Sequence, residues 1–166
     1  VGRAEFLEMK WFRLLIPVVP VIAPLVARWV RKQEAVILAE GVSLTDEQAR
    51  DARRVGVNFP EKVRLKWVDS IPTPKGFLGW LGVRTGLVNT RTAGITLGYG
   101  IYLRSAYWND RELCVHELVH VGPYERLGSL ANFLRPYLHE CLDPGYPWGP
   151  LEQEAVIKAS DVVRGA

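Results

Sequence analysis

The sequence predicts an α+β domain: a small mixed sheet packed on a helix that carries an HExxH motif, with a second helix bringing a third ligand. Three observations carry this. Apolar residues recur at helical spacing over residues 27–40, 111–121 and 130–141. Residues 63–68 and 95–104 instead read as strands. Between the second strand and the last helical stretch stands His116-Glu117-Leu118-Val119-His120, preceded by a capping sequence.

A chain of 166 residues has the length of one domain and can bury a core without staples. With 48% hydrophobic and 23% charged residues it has a globular composition. A net charge of +3, with basic and acidic residues interspersed, argues against nucleic acid as a partner. Two cysteines make no disulfide framework. Cys114 and Cys141 are expected as small buried residues near the site, with a bridge between them left open.

Residues 1–26 are expected to form an apolar, proline-interrupted arm, and residues 27–166 a single domain. The apolar run over 14–27 contains Pro17, Pro20 and Pro24. As a helix it would reach only about 21 Å against a hydrocarbon core of roughly 30 Å, too short to span. With Met9-Lys10-Trp11-Phe12-Arg13 before it, the run has the look of a signal peptide. Leu25-Val26-Ala27 is a poor cleavage site, so cleavage is not expected. The location in the cell stays open. Three readings of the arm remain: packing on the domain's own core, a membrane-surface anchor, or a partner-binding segment.

Residues 27–40 suit an amphipathic helix stopped by Gly41. Thr45-Asp46-Glu47-Gln48 reads as a capping box opening a shorter helix through Arg54, ended near Gly56. Val63, Leu65 and Trp67 then alternate with Arg64, Lys66 and Val68 in a half-buried strand. Residues 76–89, rich in glycine and aromatics, are expected to hold a strand and a loop. Residues 95–104 read as one strand leading to the motif helix, with Gly98, Tyr99 and Gly100 on it. Glycines there would let another backbone come close.

The motif helix is expected to start at Asn109, with Glu112 three residues on, and to end or kink at Gly122-Pro123. A further helix over 130–141 is weakened by Pro136. Residues 143–150 form a loop of turn residues, and Pro150 is placed to open the last helix.

In a helix, His116 and His120 leave the same face and can close on one metal ion. Glu117 lies about 100° round from His116, so it borders the metal without binding it and can accept a proton from water there. Without a metal, three polar side chains buried together would be costly. Zinc in an enzyme usually takes three protein ligands. Pro123 and Arg126 stand where a metzincin has Gly and His, which excludes that class. The candidates downstream are His139, Glu140, Asp143, Glu152, Glu154 and Asp161. Glu152 is favoured because the helix that Pro150 opens could lie against the first.

HELVH followed by Glu152-Gln153-Glu154-Ala155 resembles the gluzincin group of zinc metallopeptidases. The wider run through Thr96-Leu97-Gly98-Tyr99-Gly100, Tyr124-Glu125-Arg126-Leu127-Gly128 and PLEQEA is similar to small bacterial zincin-like proteins. The likeness covers the last seventy or so residues well and the first sixty weakly. It implies a minimal zincin-like domain binding Zn2+ through His116, His120 and Glu152, with Glu117 as general base in peptide-bond hydrolysis. It also implies that the strand before the motif helix, at Gly98, Tyr99 and Gly100, edges the cleft and pairs with an extended substrate. Some residue should polarise the substrate carbonyl, with Tyr146 and His139 as candidates and Glu154 a lower-ranked ligand. In the group an Asp four residues after the third ligand orients a ligand histidine; here that position is Val156.

The expected activity is therefore that of a zinc metallopeptidase acting on a peptide or protein. An alternative is a non-catalytic zinc-containing interaction module that docks on a membrane or a protein through residues 14–27. A latent peptidase whose arm blocks the cleft is a third reading.

Overall fold

A computed structural model describes residues 16–17, 19–84, 92–145 and 147–165. Helix α1, Val19–Glu40, runs unbroken through the stretch where prolines predicted an interruption. Pro20 falls in the first turn, where no N–H is needed, and Pro24 forfeits one hydrogen bond. A proline inside a helix costs about 3 kcal/mol. Val19, Ile22, Ala23, Ala27 and Val30 are buried along this helix, and each large aliphatic side chain buried returns roughly 1.5–3 kcal/mol. Burial outweighs the break. Residues 19–26 are thus the first turns of α1, packed on the core, while residues 1–15 and 18 lie outside the described residues.

Gly41 ends α1 as expected. A Cβ there would stand 2.5 Å from the Ile37 carbonyl oxygen and 2.9 Å from that of Leu65, so only glycine lets the chain pass. Two residues, β1 (Val42–Ser43), then pair antiparallel with β2 (Arg64–Val68). Such a short strand carries no periodicity to detect. Between them lies α2, Asp46–Arg54, opened by the expected capping box of Thr45 and Gln48.

Two strand expectations change. Residues 77–84 form a helix, α3 (Phe77–Arg84), rather than a strand. Gly79 fits there because a Cβ would lie 2.0 Å from the Pro74 carbonyl oxygen. Residues 85–91 lie outside the described residues. The single strand expected over 95–104 is a hairpin of β3 (Gly94–Leu97) and β4 (Gly100–Arg104). Its two-residue turn starts at Gly98, with φ +70°, a conformation that a side chain would strain.

Among the described residues the sheet has the order β1-β2-β4-β3. The pair β2/β4 is parallel, with Leu65 opposite Ile101, and β3/β4 is antiparallel. Helix α4 spans Arg111–Leu127, α5 Leu130–Glu140 and α6 Pro150–Arg164. The N-cap of α4 is Asp110, one residue later than expected, and its side chain accepts from Leu113 N at 2.9 Å. Pro123 does not end α4, which continues to the left-handed Gly128. The last turn is held from outside: the Glu125 carboxylate accepts from the backbone N–H groups of Asn58 and Phe59. Pro136 is likewise carried inside α5, and Pro150 opens α6 as the sequence predicts.

The alternation of β4 divides the core. Ile101 and Leu103 pack with Val115, Leu118, Val119, Ala155 and Ala159 of α4 and α6. Tyr102 packs with residues of α1 and α5. The architecture is a mixed α+β fold, with six α-helices about a small four-stranded mixed sheet among the described residues.

Candidate metal centre

His116, Glu117 and His120 occupy consecutive turns of α4, whose other face is fixed in the core by Val115, Leu118 and Val119. Glu152 is the third residue of α6, an end where the helix dipole favours a carboxylate. Packing of α4 on α6 brings the three expected ligands together. Ligand atoms of His116, His120 and Glu152 all lie within 4.8 Å of one another.

The individual separations are informative. His116 Nε2 stands 3.5 Å from Glu152 Oε2, and His120 Nε2 stands 3.4 Å from Glu152 Oε1. Both are longer than a good N–H···O hydrogen bond. The two contacts go to different oxygens of the carboxylate, and each leaves a gap that an ion with bonds of roughly 2.0–2.1 Å, as zinc has to nitrogen and oxygen, would bridge. The two-nitrogen, one-carboxylate set therefore fits zinc. Glu152 is 5% exposed and His120 6%, so neither is a surface group meeting by chance.

Glu117 is also buried, at 5% exposure, but is held away from the ligand set by β3. Thr96 Oγ1 donates to its Oε2 at 2.7 Å. Gly94 makes room for it, since a Cβ at that position would lie 2.7 Å from Glu117 Oε1 and 2.8 Å from its Cγ. Burial, opposed by the His116 imidazole and the Thr96 hydroxyl, pushes the Glu117 carboxyl up to about 7. That is the range of a group able both to take and to return a proton at neutral pH.

Two of the three clustered groups, Glu152 and His116, shift against the direction that burial alone would give, and His120 shifts with it. Burial pushes Glu152 up, but His116, His120 and Tyr137 outweigh it and hold the carboxylate below its ordinary value. Burial brings His120 down to about 4, so its imidazole is neutral, as a metal ligand must be. His116, drawn down by burial, is raised on balance by Glu152 and Glu117.

Tyr137 on α5 was passed over in the sequence as one more apolar-face residue. Its hydroxyl donates to Glu152 Oε1 at 2.8 Å, and its ring meets that of His120 edge-on at 6.1 Å. Thr96 and Gly94 were missed as partners of Glu117, because nothing in the sequence showed that residues 94–97 turn back along α4. The orienting contact that Val156 cannot make is not replaced for His120: its Nδ1 is buried and has no hydrogen-bond partner among the described residues.

The other candidates are elsewhere. Glu154 pairs with Lys158 at 2.5 Å, His139 is exposed on α5, and Asp161 is exposed on α6. Glu140 accepts from Leu151 N at 2.9 Å and so ties α5 to the start of α6. Asp143 lies half-buried between α5 and α6, and Tyr146 is outside the described residues. Cys114 and Cys141 are buried and unbridged, and burial raises both thiols. Of the expected cleft edge, Gly98 is the hairpin turn, Gly100 packs on Ile37, and Tyr99 meets Tyr124. The strand beside the site is β3, at the end of the sheet among the described residues.

A cavity of about 130 Å3 adjoins His116, Glu117, His120 and Glu152. Its walls are mostly apolar: Ile22, Val26 and Trp29 from α1, Leu78 and Leu81 from α3, and Phe133 and Leu134 from α5. Comparison with protein-family models, with curated proteins and with solved structures finds no match. The functional reading therefore rests on the site itself.

Proposed function

We propose that this chain is a metal-dependent hydrolase. Within that class we read it as a zinc metallopeptidase of gluzincin type, with a minimal zincin-like arrangement of α4, α6 and the β3 edge. The observation that carries the reading is the convergence of ligand atoms of His116, His120 and Glu152 within 4.8 Å of one another, with Glu117 beside them but outside that set.

His116, His120 and Glu152 would hold the ion. Bound zinc supplies a Lewis acid that lowers the pKa of water toward neutrality and polarises a carbonyl. Glu117, poised near neutrality, takes the proton from the attacking water and returns it to the leaving amine. Thr96 keeps its carboxylate aimed during both transfers. An extended peptide laid along β3 would add backbone hydrogen bonds to the sheet and present its scissile bond over α4. Tyr137 and the helix dipole of α6 keep Glu152 ionised and oriented.

The test is Glu117→Gln assayed on a mixed peptide library with metal content measured alongside. Retained zinc with turnover down by at least about 10²-fold is the expected result. Equal turnover would remove Glu117 from the mechanism. A second reading is a zinc-containing interaction module that turns nothing over. The unpartnered Nδ1 of His120 favours it, because metal-ligating histidines in enzymes usually have that atom tied down. Parent protein that holds zinc and cleaves no peptide would select this reading.

A further inference from the structure

Two of the helices that wall the cavity, α1 and α3, are apolar on both sides. In α1, Ile22, Val26 and Trp29 face the cavity while Val21 and Leu25 are more than half exposed. In α3, Leu78 and Leu81 face it while Phe77, Trp80 and Val83 are each 57% exposed. Phe77 and Trp80 stack with centroids 5.8 Å apart, which gathers two large rings at the surface instead of burying either. Exposed aromatic and aliphatic residues concentrated on neighbouring elements mark a surface that meets something.

The charge around these residues says what. Val21, Leu25, Arg28 and Lys32 follow one another at helical spacing along a single exposed stripe of α1, apolar first and then basic. Residues 9–33 contain Lys10, Arg13, Arg28, Arg31 and Lys32 and not one Asp or Glu. Residues 70–92 contain Lys75, Arg84 and Arg91 and again no acid. All 18 acidic residues of a chain with a net charge of only +3 lie elsewhere. Exposed Trp, Phe and Leu on two stretches of sequence that carry basic residues and no acid complement an anionic lipid surface: the apolar groups enter the headgroup boundary and the cations meet phosphate. No helix among the described residues is long and apolar enough to cross a membrane, so the contact would lie along the surface.

We infer that α1 and α3 dock the protein on a bilayer containing anionic phospholipid, through Val21 and Leu25 on one helix and Phe77, Trp80 and Val83 on the other. The cavity beside His116 then sits between the two docked helices. This inference stands on exposure and charge and requires neither metal nor turnover.

Flotation of the full chain with vesicles tests it, using phosphatidylcholine alone and phosphatidylcholine mixed with phosphatidylglycerol. The parent floats with the mixed vesicles and far less with the neutral ones, and added salt weakens the binding. Leu25→Ser with Trp80→Ser, both at exposed positions, weakens it at least about tenfold. Arg28→Glu with Lys32→Glu removes the preference for phosphatidylglycerol. Circular dichroism of both double variants, unchanged from the parent, separates lost binding from lost fold. Failure of the parent to float overturns the proposal, as does a Leu25→Ser/Trp80→Ser chain that floats as well as the parent. Should the parent ignore vesicles yet sediment as a dimer that this double variant dissolves, the surface joins two copies of the chain instead, and the lipid proposal falls.

Discussion

Tyr137 donates its hydroxyl to Glu152 Oε1 at 2.8 Å, from a helix that supplies none of the three clustered ligand residues. The contact ties the third helix of the site to the one carboxylate of the cluster. A carboxylate held this way loses less freedom when it takes up a metal. Tyr137→Phe keeps the ring and removes only the donor. It should therefore leave the circular dichroism of the metal-free protein unchanged while weakening zinc by about tenfold or more. Competition against a chromophoric chelator reads the affinity directly; parent-like affinity would show that Tyr137 only packs.

Thr96 and Gly94 make a second pair of expectations, on the other side of the site. Thr96→Val removes the donor at 2.7 Å from Glu117 Oε2. Gly94→Ala drives a methyl into the Glu117 side chain, at 2.7 Å from Oε1 and 2.8 Å from Cγ. Both variants should retain stoichiometric zinc and lose turnover, the alanine more severely, and Thr96→Ser should restore activity. Zinc lost together with activity would mean that these residues support the fold of the site rather than the aim of its base.

The titration of Glu117 gives a stability test in metal-free protein. Its folded value, about 7, lies above the ordinary 4.5. Both states bind the proton below the unfolded value, so there is no penalty there. As pH rises from about 4.5 to 7 the unfolded chain ionises first, and stability is lost. Glu117→Gln has no such titration. It should be more stable than the parent above pH 7 by up to about 3 kcal/mol, with the gap closing below about pH 4.5. Denaturant unfolding in chelator across that range measures the gap; a difference independent of pH would contradict the buried, proton-holding environment described for Glu117.

Where the grouping of side chains depended on spacing along one helix, it was legible in the sequence. His116, Glu117 and His120 fall within five consecutive residues of one helix, and Pro150 marked the start of the helix that carries Glu152. What escaped was chemistry assembled by tertiary contact. Tyr137 had the helical spacing of a core residue, and only the approach of α5 to α6 turns its hydroxyl to Glu152. Residues 95–104 carry strand propensity throughout, so the glycine that folds them into a hairpin read as a point where another backbone could come close. The prolines of α1 and α4 were given their usual local weight, and burial on the core overrode it. In α3 one of the glycines that suggested a loop, Gly79, instead lets the helix sit against Pro74.

The central claim is that His116, His120 and Glu152 form one zinc site. Elemental analysis of protein purified without added metal, for the parent, Glu152→Ala and Glu154→Ala, tests it most directly. The account predicts about one zinc per chain in the parent, loss in Glu152→Ala, and retention in Glu154→Ala, because Glu154 is turned to Lys158. A parent that holds no zinc and takes none up on titration, or a Glu152→Ala variant that holds as much as the parent, would contradict it.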